Sequence, residues 1–496
     1  MHMPPPNPLR QLDRLEMLAI GYLCLPLLVF LFGWLWLPYA LAASLPLALT
    51  AWPCWRDRRR GHGLSASSLS RPERAAVVAV ALLWTILSGL AGGVHLNAGW
   101  LPRMALLRDL ALLPWPLSYA GEHGTLLLRA PLGYYLLPAL VGKLGGLDGA
   151  RLALWFWTAG GAALFLALLV SANSARRHNG WMLPMAVAVL FSGMDLAGWL
   201  LHQPGLPAVA QHLETWAGSY QYASPTTQLF WMPNHALPGW LAAMLVWRHR
   251  AQGLNAPAAA LILLGVLCWS PLVALGAAPL LAWSVARRQP GHAVHLELSG
   301  AACWAIVPAL LILARYLTAG ELGPFGVLPD ADLAAEGARY ALFAFVEWGL
   351  LAVALLALGQ GSALLAVALL ELSLLPLFRF GPGNELVTQA AIPALTILML
   401  STAAALERAG PHRPARKGML GVLLALLLAG AATPLFEFAR AFQPGPRYRD
   451  DARNFVDING TPWPYVIRLN QPDLEHVLKP LATAPNAPAA PAAPTP

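Results

Sequence analysis

Apolar runs of about 20 residues recur from Met17 to Phe436, the length a helix needs to cross the hydrocarbon core of a bilayer. Only 11% of the residues are charged and 57% are hydrophobic, against roughly 25% charged in a soluble chain. Soluble multidomain enzymes, nucleic-acid readers and disordered proteins are excluded. The ten-residue alternation of an outer-membrane barrel is absent as well. The expected fold is an all-α polytopic membrane protein. Its net charge of +8 reads as basic cytoplasmic loops, not as a nucleic-acid surface.

Thirteen spans are predicted, at 17–37, 38–54, 75–93, 150–171, 181–201, 235–249, 257–269, 270–286, 299–317, 341–358, 362–379, 386–407 and 418–436. The pair 257–269 and 270–286 is too long for one crossing and short for two, with Pro271 as the candidate break. Orientation follows the basic clusters. These are Arg56 to Arg60 with Arg71 and Arg74, Arg176-Arg177, Arg248 with Arg250, Arg287-Arg288, and Arg408 through Lys417. A cytoplasmic N-terminus puts every one of them inside. Loops 94–149, 202–234 and 319–340, and the chain from about Glu437, then face the periplasm. The expected organisation is an N-terminal hairpin and basic loop (1–74), a membrane core (75–436), a periplasmic segment (437–480) and a disordered Pro/Ala-rich tail (481–496). No cleavable signal peptide is evident. Cys24, Cys54, Cys268 and Cys303 sit in or beside apolar runs and read as small buried hydrophobes.

Loop 94–149 carries two apolar pieces, 100–112 and 131–144, that suit helices lying on the membrane surface. It also holds Pro131-Leu132-Gly133-Tyr134-Tyr135, then Lys143-Leu144-Gly145, with Arg151 opening the next span and Arg176-Arg177 closing it. In this order the segment resembles the GT-C class of membrane glycosyltransferases, whose plan the aminoarabinose and protein mannosyl transferases share. A bacterial branch of GT-C-like proteins is closer still. Its motifs correspond to Gly99-Trp100-Leu101-Pro102-Arg103, Leu107-Arg108-Asp109-Leu110 and Trp115-Pro116. Further matches are Gln221-Tyr222-Ala223-Ser224, Phe230 to Ala236, and Gly383-Asn384-Glu385 followed by Gln389 to Leu395. Two departures stand out. The acidic residue usual early in the first loop is replaced by Asn97 and Gly99, and Gln389 stands where the branch tends to have Arg.

The resemblance implies transfer of a sugar from a polyprenyl-phosphate donor to an extracytoplasmic glycan, lipid or protein acceptor, in the bacterial inner membrane. Such chemistry needs a carboxylate base and donors that hold the departing phosphate. It needs no cofactor beyond the donor lipid, and divalent-metal assistance is a lesser alternative. Asp109, beside Arg108, is the expected base, unless the two are a solvated pair on a surface helix. Asp195 lies near the end of a span, where a carboxylate is expensive and a functional candidate. Glu214, Gln221, Tyr222, Trp231, Asn234 and His235 combine rings with amides and a carboxylate, as sugar recognition requires. An aromatic belt explains the rings equally well. Three histidines in loop 202–235 lack metal-ligand spacing, so no metal site is assigned. Arg315 and Arg379 near span ends suit a lipid phosphate, or snorkel to headgroups. Glu347, within a span, requires a buried partner. Two other classes stay open: a lipid-linked saccharide flippase or transporter, and a non-catalytic subunit of an envelope polysaccharide machine.

Overall fold

A computed structural model describes residues 12–60, 69–121, 124–172, 180–287, 301–320, 323–327, 333–381, 383–408, 414–444, 453–459, 465–468 and 472–484. The Glu122-His123 turn, the Arg176-Arg177 pair and the tail beyond 484 lie outside them.

Among the described residues, six stretches are long and apolar enough to cross a membrane. They are Arg14–Trp34, Gly133–Ser171, Met182–His202, Ala334–Ala357, Leu386–Glu407 and Lys417–Ala441. Shorter apolar helices accompany them at Leu37–Ala51, Ala256–Trp269, Pro271–Ala286, Val307–Leu317 and Ala363–Leu377. Length and composition therefore support a multi-pass helical protein without establishing the expected count of thirteen.

The first helices are α1 (Arg14–Trp34), α2 (Leu37–Arg60), α3 (Arg71–Leu87) and α4 (Trp100–Leu112). Helix α1 starts at Asp13, whose carboxylate accepts from Glu16 N at 3.0 Å while Asp13 N donates back to Glu16 at 2.8 Å. Such reciprocal bonds satisfy two otherwise unpaired N–H groups. Strands β1 (Leu117–Gly121) and β2 (Gly124–Leu128) follow, then the long helix α5 (Gly133–Ser171). Gly146 at φ 68° bends α5, a conformation only glycine adopts readily. The bend separates the expected surface helix from the expected span. Helices α6 (Met182–Leu190) and α7 (Asp195–His202) form one stretch interrupted at 191–194.

Next come α8 (Pro225–Trp231), α9 (Pro233–Arg248), α10 (Ala256–Trp269) and α11 (Pro271–Ala286). Pro271 does break the ambiguous pair. Ser270 ends α10 and caps α11, its hydroxyl accepting from Val273 N at 3.4 Å. At 1.5 Å rise, the 16, 14 and 16 residues of α9, α10 and α11 reach about 24, 21 and 24 Å. That falls short of the roughly 30 Å of hydrocarbon. The deficit shows in the packing, because Trp269 Nε1 donates to Leu23 O, midway along α1, at 3.0 Å.

The two ends of the bundle differ. One end collects basic groups. There Arg248 donates to Glu16 at 2.6 Å, Asp13 at 2.5 Å and Leu168 O at 3.0 Å, stapling α9 to α1 and α5. The other gathers loops 94–149 and 202–234 with the C-terminal segment, through contacts such as His95 N to Ala441 O at 2.9 Å and Trp36 N to Val477 O at 3.1 Å. These are the same loops that the basic clusters assign to one face.

The all-α expectation needs one correction. The loop end carries a four-stranded sheet ordered β5-β2-β1-β6, with β5 at Val466–Arg468 and β6 at Ala482–Ala484. β1 and β2 pair antiparallel with Tyr119 opposite Leu126, and β6 runs parallel to β1 with Ala482 opposite Leu117. Residues 482–484, expected in the disordered tail, are thus an edge strand. A second sheet pairs β3 (Phe325–Val327) with β4 (Phe378–Phe380).

Candidate functional site

Because α9, α10 and α11 are short, the start of α9 and the Ser270 corner are set back from the loop end, level with the middle of α1; this recess of the helix ends holds buried polar side chains. His235 Nδ1 bonds Ser270 Oγ at 2.7 Å, and His235 Nε2 bonds the Asn234 amide at 2.9 Å. Asn234 Oδ1 is buried with no hydrogen-bond partner among the described residues. Arg103 of α4 stands over this corner. Its guanidinium donates to Gly99 O at 2.5 Å, lies 5.8 Å from the Trp100 ring, and acts on the Tyr135 hydroxyl. Its charge also reaches His235 and Tyr465.

The Tyr465 hydroxyl feels the charges of both Arg103 and Glu385. Burial raises the Tyr465 hydroxyl pKa, the Glu385 carboxylate adds to the rise, and Arg103 and Arg129 oppose it. Glu385 sits in a turn set by Asn384, which adopts φ 50°, a left-handed conformation that Asn tolerates through local hydrogen bonding. Asn384 accepts from Phe380 N at 3.3 Å and donates to Ser219 O at 3.0 Å. Glu385 accepts from Gly383 N at 3.3 Å through Oε1, while its buried Oε2 has no partner among the described residues.

A second group of polar side chains adjoins the recess through Trp231 and Gly99. A Cβ at Gly99 would lie 3.1 Å from Arg103 Nη1 and 3.9 Å from the Trp231 ring. Trp231 Nε1 donates to Glu437 at 3.0 Å, and Arg440 donates to Glu437 at 2.5 Å. The His212 ring lies tilted against Trp231 with centroids 4.9 Å apart, and its nitrogens are 3.4 Å from Glu437 and 3.6 Å from Glu214. Gln221 bonds His212 at 2.9 Å. Behind lie three buried carboxyl groups, Glu214, Asp195 and Glu347. Asp195 accepts from Ser192 at 2.8 Å and Thr433 at 2.7 Å, and Glu347 accepts from Trp216 Nε1 at 2.9 Å. The buried partner Glu347 requires is thus the Trp216 indole.

Electrostatics in the second loop follow from this burial. The Glu214 pKa is pushed up to about 8, first by desolvation and then by Asp195, against the pull of His212, Thr227 and Ser224. Desolvation alone would lower the His212 pKa. The Glu437 hydrogen bond and the Glu214 and Glu437 charges outweigh it, so the net shift is upward.

The remaining candidates are placed elsewhere. Asp109 is fully buried, and Arg108 at 2.7 Å, Tyr119 at 2.9 Å and Phe455 N at 2.8 Å occupy both its oxygens. Burial raises its pKa while these three donors lower it. The carboxylate ties α4 to β1 and to the C-terminal helix Phe455–Asn459. Tyr222 donates to Leu372 O at 2.6 Å and packs on Phe343, inside the helix bundle. Arg315 forms an exposed fork on Asp473 at 2.6 and 3.0 Å. Arg379 is exposed on β4, opposite Gly326. The three hydrogen bonds to Asp109 come from α4, β1 and the C-terminal helix, and Arg379 lies on the β3–β4 sheet. Arg103, Tyr135, Ser270, Glu385, Glu437 and Arg440 were not singled out as site residues from the sequence. For Arg103, Tyr135 and Glu385 a signal existed, since all three fall within the quoted motifs.

No family model matches the chain, and no curated protein matches it. A search of solved structures finds the single-particle cryo-EM structure of the arabinofuranosyltransferase AftD from mycobacteria, at 20% identity and a TM-score of 0.37. The match covers 78% of this chain and 28% of that one. A likeness this loose carries no argument about fold or activity.

Proposed function

We propose that this protein is a multi-pass membrane glycosyltransferase working at its loop end, with a polyprenyl-phosphate sugar as donor and a glycan, lipid or protein as acceptor. The observation that carries the reading is the polar corner at the start of α9, where His235 bonds Ser270 and Asn234 under the field of the Arg103 guanidinium; Asn234 Oδ1 there, and Glu385 Oε2 in its own turn, keep hydrogen-bonding capacity unfilled among the described residues. In the reaction, an acceptor hydroxyl attacks the anomeric carbon as the bond from that carbon to the phosphate oxygen breaks. Glu385 takes the hydroxyl proton. Arg103 holds the phosphate, whose negative charge grows as it departs, with two parallel N–H donors. The ionised phosphate is already a competent leaving group, so no nucleotide-binding loop is required. Asn234, His235 and Ser270 supply donors and acceptors for sugar hydroxyls, and Trp231 a ring face. Asp109 acts as a positioning residue that holds the C-terminal segment, and with it Tyr465, over the recess. The same reading places the protein in a bacterial cytoplasmic membrane with its basic end inside.

A non-catalytic role is the second reading, favoured by Gly99, which leaves the place beside Arg103 without a carboxylate. Purified protein in liposomes, given radiolabelled polyprenyl-phosphate sugars and candidate acceptors, separates the classes. Covalent transfer supports the proposal, and label crossing the bilayer unreacted supports transport. Neither outcome with any donor, together with co-purification of an active partner, supports the subunit reading.

A further inference from the structure

A cavity of about 370 Å³ opens at the basic end, far in the fold from the recess. Three arginines from three separate helix ends line it: Arg250 after α9, Arg287 after α11, and Arg408 after the helix Ile392–Glu407. No Asp or Glu among the described residues lines it. Like charges around one void repel, the more so where water is excluded. An excess of basic residues at this end is expected of cytoplasmic loops, yet that preference asks only for their presence and not for their convergence.

The guanidinium groups are held rather than left to wander. Arg250 lies 4.4 Å from the Trp247 ring and donates to Trp247 O at 2.8 Å. Arg287 lies 5.9 Å from the Trp283 ring, and Arg408 donates to Gln360 Oε1 at 2.8 Å. A guanidinium has five N–H donors, more than the contacts of Arg287 and Arg408 named here use. Ser362, also in the lining, caps the helix Ala363–Leu374, whose positive dipole end adds to the field.

We propose that this cavity binds a phosphate group, presented as the headgroup of an anionic phospholipid entering from the adjacent leaflet. Arginine forks match phosphate oxygens. Trp247 and Trp283 provide the amphipathic flank that suits the headgroup level of a membrane. Basic pockets between helices are a known form of headgroup site. A soluble phosphoester would satisfy the same donors.

The test uses the full chain in phosphatidylcholine nanodiscs doped with phosphatidylglycerol, with retained lipid identified by native mass spectrometry. Wild type should keep phosphatidylglycerol over phosphatidylcholine by about tenfold or more, since charge-assisted hydrogen bonds favour the net-anionic headgroup. The Arg287→Gln/Arg408→Gln pair should lose that preference. Arg14→Gln, exposed at the same end outside the cavity, should keep it. Ser362→Asp is a second variant, because aspartate also caps a helix while its charge opposes the anion. It too should lose the preference at unchanged melting temperature. If wild type keeps no lipid but millimolar inorganic phosphate raises its melting temperature and not that of the variants, the phosphate site stands with a soluble source. Equal phosphatidylglycerol retention by wild type and both variants, with no response to phosphate, overturns the proposal.

Discussion

The indole N–H of Trp231 donates to the carboxylate of Glu437 at 3.0 Å, joining the second loop to the helix Ala432–Ala441 across 206 positions of sequence. Arg440 and His212 converge on the same carboxylate. Removing one member of a buried charge group leaves the others unpaired, at about 3–5 kcal/mol. Glu437→Ala should therefore lower the apparent melting temperature of the detergent-solubilised protein sharply. Glu437→Gln, which keeps an acceptor for Trp231, should lower it less.

The pH dependence of stability has a definite sign. Glu214 is held with its pKa at about 8, above the roughly 4.3 of a free glutamate. Its protonated form is thus favoured by folding. The stability it contributes is complete below the free value and is lost as pH rises through about 8. His212, also raised, loses its contribution in the same direction. Melting temperature should fall between about pH 5 and 8, and Glu214→Gln should flatten that slope. An identical slope in the variant would show that other groups set it.

Asp109 binds Phe455 N and Tyr119, so Asp109→Asn should loosen the C-terminal segment before it affects the helices. A lost charged acceptor in a buried site is worth ~1.5–3 kcal/mol. Limited trypsin digestion should cut at Arg468 and Lys479 several-fold faster than in wild type, with the membrane core intact. Unchanged cleavage would remove Asp109 from this anchoring role.

The organisation of the helices was legible in the sequence, and the partnerships were not. Apolar length and the Lys/Arg clusters reveal which loops share an end, and Pro271 marks the α10–α11 corner, because these are local properties. Gly146 separates the surface piece of α5 from its spanning piece where the apolar pattern suggests. Nothing local tells Glu437 that its partners are Trp231 and His212. A charged residue inside an apolar run announces that a partner exists, as Glu347 does, without naming it. The four-stranded sheet is hidden for the same reason, since β5 and β6 are three-residue strands more than 330 positions from β1 and β2. The recess itself comes from a shortfall of helix length, which is visible only once α9, α10 and α11 are seen to stop early.

Gly99 offers a direct probe of Arg103. Its φ of −61° and ψ of −8° suit any residue, and its Cβ direction faces Arg103 Nη1. Gly99→Asp should pair with that guanidinium and compete with the donor phosphate. Steady-state transfer assays should show the donor KM raised about tenfold, equivalent to 1.4 kcal/mol of binding, with kcat less affected. A fall in donor KM would mean that an acid at this place assists binding.

The most direct test of the account is the transfer rate of Glu385→Gln beside that of Asp109→Asn, measured in liposomes with a radiolabelled polyprenyl-phosphate sugar. Loss of a general base costs about 10²–10⁴ in rate. Glu385→Gln should fall by at least a hundredfold with its melting temperature unchanged, while folded Asp109→Asn should keep a tenth or more of wild-type turnover. Undiminished transfer by Glu385→Gln, or abolished transfer by a fully folded Asp109→Asn, would contradict the assignment of the recess as the site of reaction.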